Sequence, residues 1–119
     1  MRTFILFFFT VSSLLASPSL YNQGKKLYFA NGCNGCHGIS AGGTNQYPPL
    51  AYRRKAFLEN KLKGYRAKQA TTQLAQMMIP FAIELTDKQI DALTTFFSQY
   101  NEAVAPAKRD FNIKGDGGS

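Results

Sequence analysis

The sequence of 119 residues predicts an all-α domain of three to five helices with one long loop. Apolar residues recur at helical spacing in three segments, and no segment shows the apolar–polar alternation of a half-buried strand. Residues 38–49, GISAGGTNQYPP, are rich in residues that favour turns, and no regular element is expected there. These observations predict helices joined by loops and give no basis for a sheet.

The first 19 residues, MRTFILFFFTVSSLLASPS, have the layout of a secretory signal peptide. Arg2 precedes an apolar run from Thr3 to Ala16, and small residues follow. This run of about 14 residues is shorter than the roughly 20 that a spanning helix needs, which favours cleavage over retention as an anchor. Cleavage after Ala16 and cleavage after Ser19 both stay open. We expect export to the periplasm and no stable membrane insertion after cleavage.

The first predicted helix covers residues 20–31, LYNQGKKLYFAN. Its residues Gly24, Leu27 and Tyr28 lie near one face at helical spacing. Gly32 then ends or bends the helix. The helix therefore leads directly into the cysteine motif that follows.

Two further helices are predicted after residue 53. Residues 54–65 form an amphipathic pattern that Gly64 can end. Residues 86–101 begin with Thr86 and Gln89 in the positions of a capping box, in which each side chain bonds the backbone of the other residue. One apolar stripe then runs along this last helix through Ile90, Leu93, Phe97 and Tyr100.

Both cysteines and the single histidine of the chain fall within five residues, CNGCH. Cys33, Cys36 and His37 are spaced so that they share one face of a helical turn. Two thiols can then reach the two vinyl groups of a haem while the imidazole binds its iron, and this spacing is typical of c-type haem attachment. The motif predicts one haem c, covalently bound through Cys33 and Cys36.

Other readings of the motif fit the sequence less well. A structural zinc site needs four ligands, and no second ligand pair follows. A thioredoxin-like redox pair needs a strand and a βαβ pattern, which the sequence lacks. A disulfide between Cys33 and Cys36 would close a very short loop and constrain the unfolded chain little.

Removal of the leader leaves about 100 residues, and a chain of this size buries a comparatively small share of its surface. We assign residues 20–102 to one domain and expect the cofactor to supplement its core. Residues 103–119 contain few apolar side chains among Pro, Gly and mixed charges, so a flexible tail is expected there.

A haem iron bound by His37 needs a sixth ligand or keeps an open site. No second histidine exists, so the candidates are Met77, Met78 and lysines. Pro80 follows closely and is expected to restrict Ile79 to an extended backbone. Two adjacent methionines cannot both point inward in the same way, so at least one is expected to fill space in the core.

The formal charge of +7 is concentrated in one part of the chain. Seven cations lie between residues 53 and 68, and Glu59 alone opposes them. Such a run favours acidic partners, whereas the alternative is a solvated helix face. No recognised nucleic-acid motif accompanies the charge, so no nucleic-acid partner is expected.

These motifs together resemble those of class I c-type cytochromes of the small bacterial monohaem kind. The matching segments are GKKLYFANGCNGCHG, YPPLA and MMIPFAIELTDKQIDALTTFF, and the likeness runs from Gly24 to Tyr100. The resemblance implies the small cytochrome c fold around one haem. It implies that the first helix crosses the last one, with Gly24 and Tyr28 facing Phe97 and Tyr100.

The resemblance also implies roles for single residues. Cys33 and Cys36 hold the thioethers, and His37 is the proximal iron ligand. The carbonyl of Pro48 accepts from the second nitrogen of His37, and Leu50 packs on the porphyrin. Counting back from Leu85 places the family's methionine ligand at Met78. The candidates to bind the haem propionates are Tyr47, Tyr52, Tyr65 and Arg66.

The implied function is electron transfer, and no enzyme activity is expected. With histidine and methionine on opposite sides, the iron has no place for a substrate, and the thioether favours Fe(II). We expect a soluble periplasmic carrier that moves one electron between respiratory complexes. The implied partners are acidic redox proteins such as a quinol-oxidising complex, a terminal oxidase or a peroxidase. The alternative is a haem protein with an open iron, as a ligand sensor or a peroxidase-like protein.

Overall fold

The computed structural model of the chain describes residues 17–101, and these residues form six helices and no strand. Three helices exceed ten residues, namely α1 (Leu20–Ala30), α3 (Lys55–Arg66) and α6 (Asp87–Ser98). Three are single turns, namely α2 (Asn34–His37), α4 (Gln73–Gln76) and α5 (Ile79–Ala82). The all-α prediction is confirmed, and the number of helices reaches six because α4 and α5 form where no helix was predicted.

Most of the predicted leader and the whole predicted tail lie outside the described residues. The domain boundaries at residues 19 and 102 therefore stay predictions. Within residues 17–101, no helix is long and apolar enough to cross a membrane.

The ends of the long helices follow from side-chain caps. Ser19 accepts from the N–H of Asn22 at 3.2 Å and begins α1. The capping box of α6 forms as predicted: the hydroxyl of Thr86 accepts from the N–H of Gln89, and the Gln89 side chain accepts from the N–H of Thr86. These bonds satisfy first-turn donors that have no partner inside a helix. The helix ends at Ser98, three residues before its predicted end at residue 101.

The first and last long helices cross in close contact at Gly24. A β-carbon on Gly24 would lie 1.9 Å from the carbonyl oxygen of Ala92 and 2.8 Å from the β-carbon of Phe96. Only a residue without a side chain fits this crossing. Beside it the buried ring of Tyr28 packs against Phe96 and Phe97, with ring centroids 5.5 Å apart in both pairs.

The predicted helix crossing is correct, although its partners differ in detail. Gly24 meets Ala92 and Phe96, and Tyr28 meets Phe97 as predicted. Tyr100 packs on Phe96 with centroids 5.7 Å apart. The crossing thus joins the chain segment before the cysteine motif to the apolar stripe of α6.

The helix α3 packs on α6 through buried apolar residues and two ion pairs. Leu58 and Leu62 are buried on its inner face. Lys55 pairs with Asp91, and Arg66 pairs with Asp87 at 2.6 Å and donates to the carbonyl of Leu85 at 3.0 Å. The Arg66 guanidinium lowers the pKa of Asp87 by hydrogen bonding and by its charge. Such solvent-exposed pairs contribute little to stability, so the buried leucines are the main contacts that hold α3 on α6.

The loop after the cysteine motif has no regular element, as predicted, yet it is tightly fixed. Ala41 is fully buried in a left-handed conformation (φ 52°), and its carbonyl accepts from Leu50 at 2.8 Å and Ala51 at 3.0 Å. Tyr52, also left-handed (φ 65°), donates its N–H to the carbonyl of Phe97 at 2.8 Å. These bonds attach residues 50–52 to the loop on one side and to α6 on the other.

Replacing Gly24 with alanine is expected to lower the free energy of unfolding by about 1–3 kcal/mol or more, because the added methyl overlaps backbone atoms of α6. Denaturant unfolding of the haem-loaded protein measures the change. Gly35→Ala is the matched control, because a β-carbon there meets nothing within 4 Å. Equal stability of the two variants would contradict the close crossing.

Candidate functional site

The cysteine motif forms a single helical turn directly after α1. Gly32 takes a left-handed conformation (φ 73°) and turns the chain out of that helix. The N–H of Cys33 then bonds the carbonyl of Tyr28 at 3.1 Å, and the N–H of His37 bonds the carbonyl of Cys33 at 3.0 Å. No disulfide joins Cys33 and Cys36. The predicted helical turn is confirmed.

A cavity of about 370 Å³ lies against this turn. Its volume is in the range of small-molecule and cofactor sites, and most of its lining residues are apolar. All six sequence-predicted site residues line it: Cys33, Cys36, His37, Pro48, Leu50 and Met78. The structure therefore brings together residues that are up to 45 positions apart in sequence.

The ring of His37 is held by a backbone carbonyl. His37 is 5% exposed, and its Nδ1 lies 2.8 Å from the carbonyl oxygen of Pro48. A carbonyl can only accept, so Nδ1 carries the proton and donates, and Nε2 keeps its lone pair. This is the tautomer that a metal ligand needs, with an outer partner that fixes the ring and raises its basicity. The predicted contact between His37 and Pro48 is present in the structure.

A glycine allows the loop to approach this contact. The N–H of Gly43 donates to the carbonyl of His37 at 2.8 Å. A β-carbon on Gly43 would lie 2.7 Å from the nitrogen of Pro49 and 2.9 Å from the carbonyl carbon of Pro48. Its φ of 81° also favours glycine. Gly43 thus holds the backbone of His37 while leaving room for the prolines.

A buried tyrosine supports the other side of the motif. The hydroxyl of Tyr28 donates to the carbonyl of Gly38 at 2.5 Å, and the residue is fully buried. Burial raises the pKa of Tyr28 above its ordinary value, so the hydroxyl stays a donor at neutral pH. Burial also raises the pKa of the Cys33 thiol in the chain before haem attachment.

The two adjacent methionines differ in their surroundings. Met78 is half-buried and packs with Leu50 against the hydrophobic core, whereas Met77 is 49% exposed. Both line the cavity. The burial of Met78 agrees with its predicted role, and Met77 has the position of a residue at the cavity edge.

The expected extended backbone at Ile79 is wrong. Ile79 is the first residue of α5, and Pro80 lies in the first turn. Proline is tolerated there because first-turn N–H groups have no partner inside the helix, and its fixed φ suits the helical conformation. The single turn α5, rather than an extended loop, therefore follows Met78 directly.

Sequence reasoning missed the wall that α3 contributes. Phe57 and Lys61, one helical turn apart, line the cavity together with Arg53. Both cations lie over the ring of Phe57, with its centroid 5.9 Å from the Arg53 guanidinium carbon and 5.6 Å from Lys61 Nζ. The sequence shows that Phe57 and Lys61 are one helical turn apart, but no feature of the neighbouring sequence indicates which face of α3 lines the cavity.

Four residues were expected to bind haem propionates, and the structure separates them into two pairs. Tyr47 and Tyr65 line the cavity. Tyr52 and Arg66 are not among its lining residues, and the guanidinium of Arg66 is engaged with Asp87 and Leu85. Only the first pair therefore remains in position for that role.

Comparison with known proteins identifies the class. The family model for cytochrome c matches residues 21–100. Cytochrome c-554(548) of Halomonas halodenitrificans is 33% identical over 67 residues, which cover 56% of this chain and 81% of that protein. The crystal structure of reduced recombinant cytochrome c4 from Pseudomonas stutzeri superposes with a TM-score of 0.58 and 29% identity. That match covers 70% of this chain but 49% of the cytochrome c4 chain, so this chain corresponds to about half of it.

The chain therefore belongs to the cytochrome c family, whose members are electron-transfer proteins with a covalently attached haem c. Its cavity fits that group: two thiols and an imidazole with a free Nε2 lie on one wall, and the rest of the lining is mainly apolar. Among residues 17–101, no group of three or more His, Cys, Asp and Glu side chains could hold a metal ion.

Replacing Gly43 with alanine is expected to destabilise the haem-loaded protein by about 1–3 kcal/mol, because the methyl meets Pro48 and Pro49 and the residue is left-handed. Gly42→Ala is the control: its β-carbon approaches only the Ser40 hydroxyl, at 3.3 Å. Denaturant unfolding compares them. If both variants lost the same stability, the close approach at Gly43 would not matter.

Proposed function

We propose that the protein is a soluble periplasmic carrier that moves one electron between respiratory redox proteins, with His37 and Met78 as the axial ligands of its haem. The observation that carries this proposal is that one cavity has the buried imidazole of His37 and the half-buried thioether of Met78 in its walls. The bound haem supplies the one-electron Fe(III)/Fe(II) couple. A thioether ligand favours the reduced state and raises the potential.

The remaining side chains support this role by their positions. Pro48 fixes the His37 ring through its carbonyl, and Leu50 lines the cavity and packs against the core. A mainly apolar lining limits the access of water. With His37 and Met78 both holding the iron, no coordination position would remain for a substrate, which supports electron transfer over catalysis.

Acidic redox proteins are the proposed partners, because the described part of the chain is strongly basic. The structure divides the cations between residues 53 and 68 into two groups. Lys55 and Arg66 are paired with carboxylates of α6, so their charges are partly neutralised within the chain. Lys61 lies at the cavity, and no carboxylate is among the residues that line it. A cation near the redox centre raises the rate of encounter with an anionic partner more than a distant one does.

Replacing Met78 with leucine is expected to abolish the weak far-red absorption of Fe(III)–thioether ligation and to let carbon monoxide bind the reduced haem. The reduction potential should fall, since axial ligands tune haems over about 0.8 V. Met77→Leu should change none of these properties, because leucine for methionine conserves volume and Met77 is exposed. Loss of the band only in the Met77 variant would reverse the assignment. Carbon monoxide binding by the wild type would favour the open-iron alternative.

Oxidation of the reduced protein by an anionic probe, hexacyanoferrate(III), is expected to be faster at low salt and to slow as ionic strength rises to about 0.15 M, where the Debye length is roughly 8 Å. Lys61→Glu should slow it by about threefold or more at low salt. Lys88→Glu makes the same change in net charge away from the cavity lining and should have a smaller effect. Equal effects of the two variants, measured by stopped flow, would show that only net charge matters.

A further inference from the structure

The carbonyl that holds His37 belongs to a segment with few backbone donors. Pro48 and Pro49 have no N–H group, so neither residue can be fixed by a hydrogen bond that its own backbone donates. Both are exposed, so burial does not fix them either. The first donor after them is the N–H of Leu50, which bonds the carbonyl of Ala41 at 2.8 Å. The hydrogen bonds that hold the two prolines are accepted by their carbonyl oxygens.

Two side chains hold these two consecutive carbonyls. His37 Nδ1 donates to the Pro48 oxygen at 2.8 Å, and Arg53 Nε donates to the Pro49 oxygen at 3.1 Å. The N–H of Arg53 also bonds the carbonyl of Leu50 at 3.4 Å, which closes a turn directly after the segment. Arg53 is therefore the one side chain, besides the ligand itself, with a hydrogen bond to this pair of carbonyls within the described residues.

Two contacts hold Arg53 in position, one made by its side chain and one by the backbone of the preceding residue. Its guanidinium lies over the ring of Phe57, and a planar guanidinium stacks and donates in a fixed geometry that a lysine ammonium does not reproduce. The preceding residue, Tyr52, is anchored to α6 by the bond from its N–H to the carbonyl of Phe97 at 2.8 Å. Arg53 thus connects the helices α3 and α6 to the proline segment.

We propose that Arg53 is a positioning residue for His37. By holding Pro49, Arg53 keeps the Pro48 carbonyl in place as the acceptor of the His37 Nδ1–H. This bond in turn sets the basicity of the imidazole and the reduction potential of the haem. The proposal rests on the assignment of His37 as a haem ligand. Arg53 is linked to Pro49 by a hydrogen bond, Pro49 to Pro48 by the peptide bond, and Pro48 to the imidazole of His37 by a second hydrogen bond.

The direction of the expected change separates this role from a simple charge effect. A strong bond from Nδ1–H to Pro48 makes the imidazole a more basic ligand and stabilises Fe(III). Weakening that bond therefore raises the reduction potential. The positive charge of Arg53 at the cavity stabilises Fe(II), so removal of the charge alone lowers the potential. Arg53→Lys keeps the charge and removes the guanidinium, which isolates the positioning role.

The experiment uses the full-length haem-loaded protein and measures two quantities, the reduction potential and the rate of solvent exchange of the His37 Nδ1 proton by NMR. Arg53→Lys is expected to shift the potential upward and to speed the exchange by about tenfold, the factor that corresponds to 1.4 kcal/mol. Phe57→Leu, which removes the ring beneath the guanidinium, should shift both quantities in the same direction by less. Arg54→Lys, at the adjacent exposed residue, should change neither.

The proposal is overturned if Arg53→Lys leaves both quantities unchanged, or if Arg54→Lys changes them as much. A lower potential in Arg53→Gln together with no change in Arg53→Lys would show a charge effect only. Failure of the proposed function looks different: the wild type would then lack the far-red thioether band or bind carbon monoxide, whatever the Arg53 variants do. Arg53, Arg54 and Phe57 are all exposed, so we expect all these variants to fold.

Discussion

The hydrogen bond from His37 Nδ1 to the Pro48 carbonyl is the interaction on which the arrangement of the site depends. It fixes the ring and its tautomer, and it joins the short turn of the cysteine motif to a loop 11 residues later. The conformation of that loop follows from this requirement. Gly43 is a glycine because the prolines approach too closely for a side chain, and Ala41 accepts two N–H groups although its left-handed backbone is strained.

The helices provide a rigid frame on which this contact can be built. The crossing at Gly24 places the end of α1, and hence the cysteine motif, at a fixed position against α6. Leucines of α3 pack on the same helix, and the outer edge of α3 supplies the cationic and aromatic wall of the cavity. The long helices form the frame, and the segments between them supply His37, Met78 and the Pro48 carbonyl to the cavity. Such preorganisation suits a protein whose ligands must not rearrange when an electron arrives.

The sequence predicts features that depend on neighbours along the chain. The spacing of the cysteines and histidine within one turn and the capping box of Thr86 are local, and the structure has both. The single turn at Ile79 and the cavity wall around Phe57 depend on packing between segments that are distant in sequence. The periodicity of apolar residues does not indicate which segments pack together. The basic run shows the same limit: Lys55 pairs with Asp91, 36 residues away, and sequence alone gave no sign of it.

The central claim is that His37 and Met78, on walls of one cavity, are the two axial ligands of a covalent haem. Proton NMR of the reduced wild-type protein tests it most directly, because the ring current of a haem strongly shields a methyl group held against its face. We predict one strongly shielded methionine methyl resonance, which assignment will place at Met78. A spectrum in which no methionine methyl is shielded, or in which the shielded methyl belongs to Met77, would contradict the account.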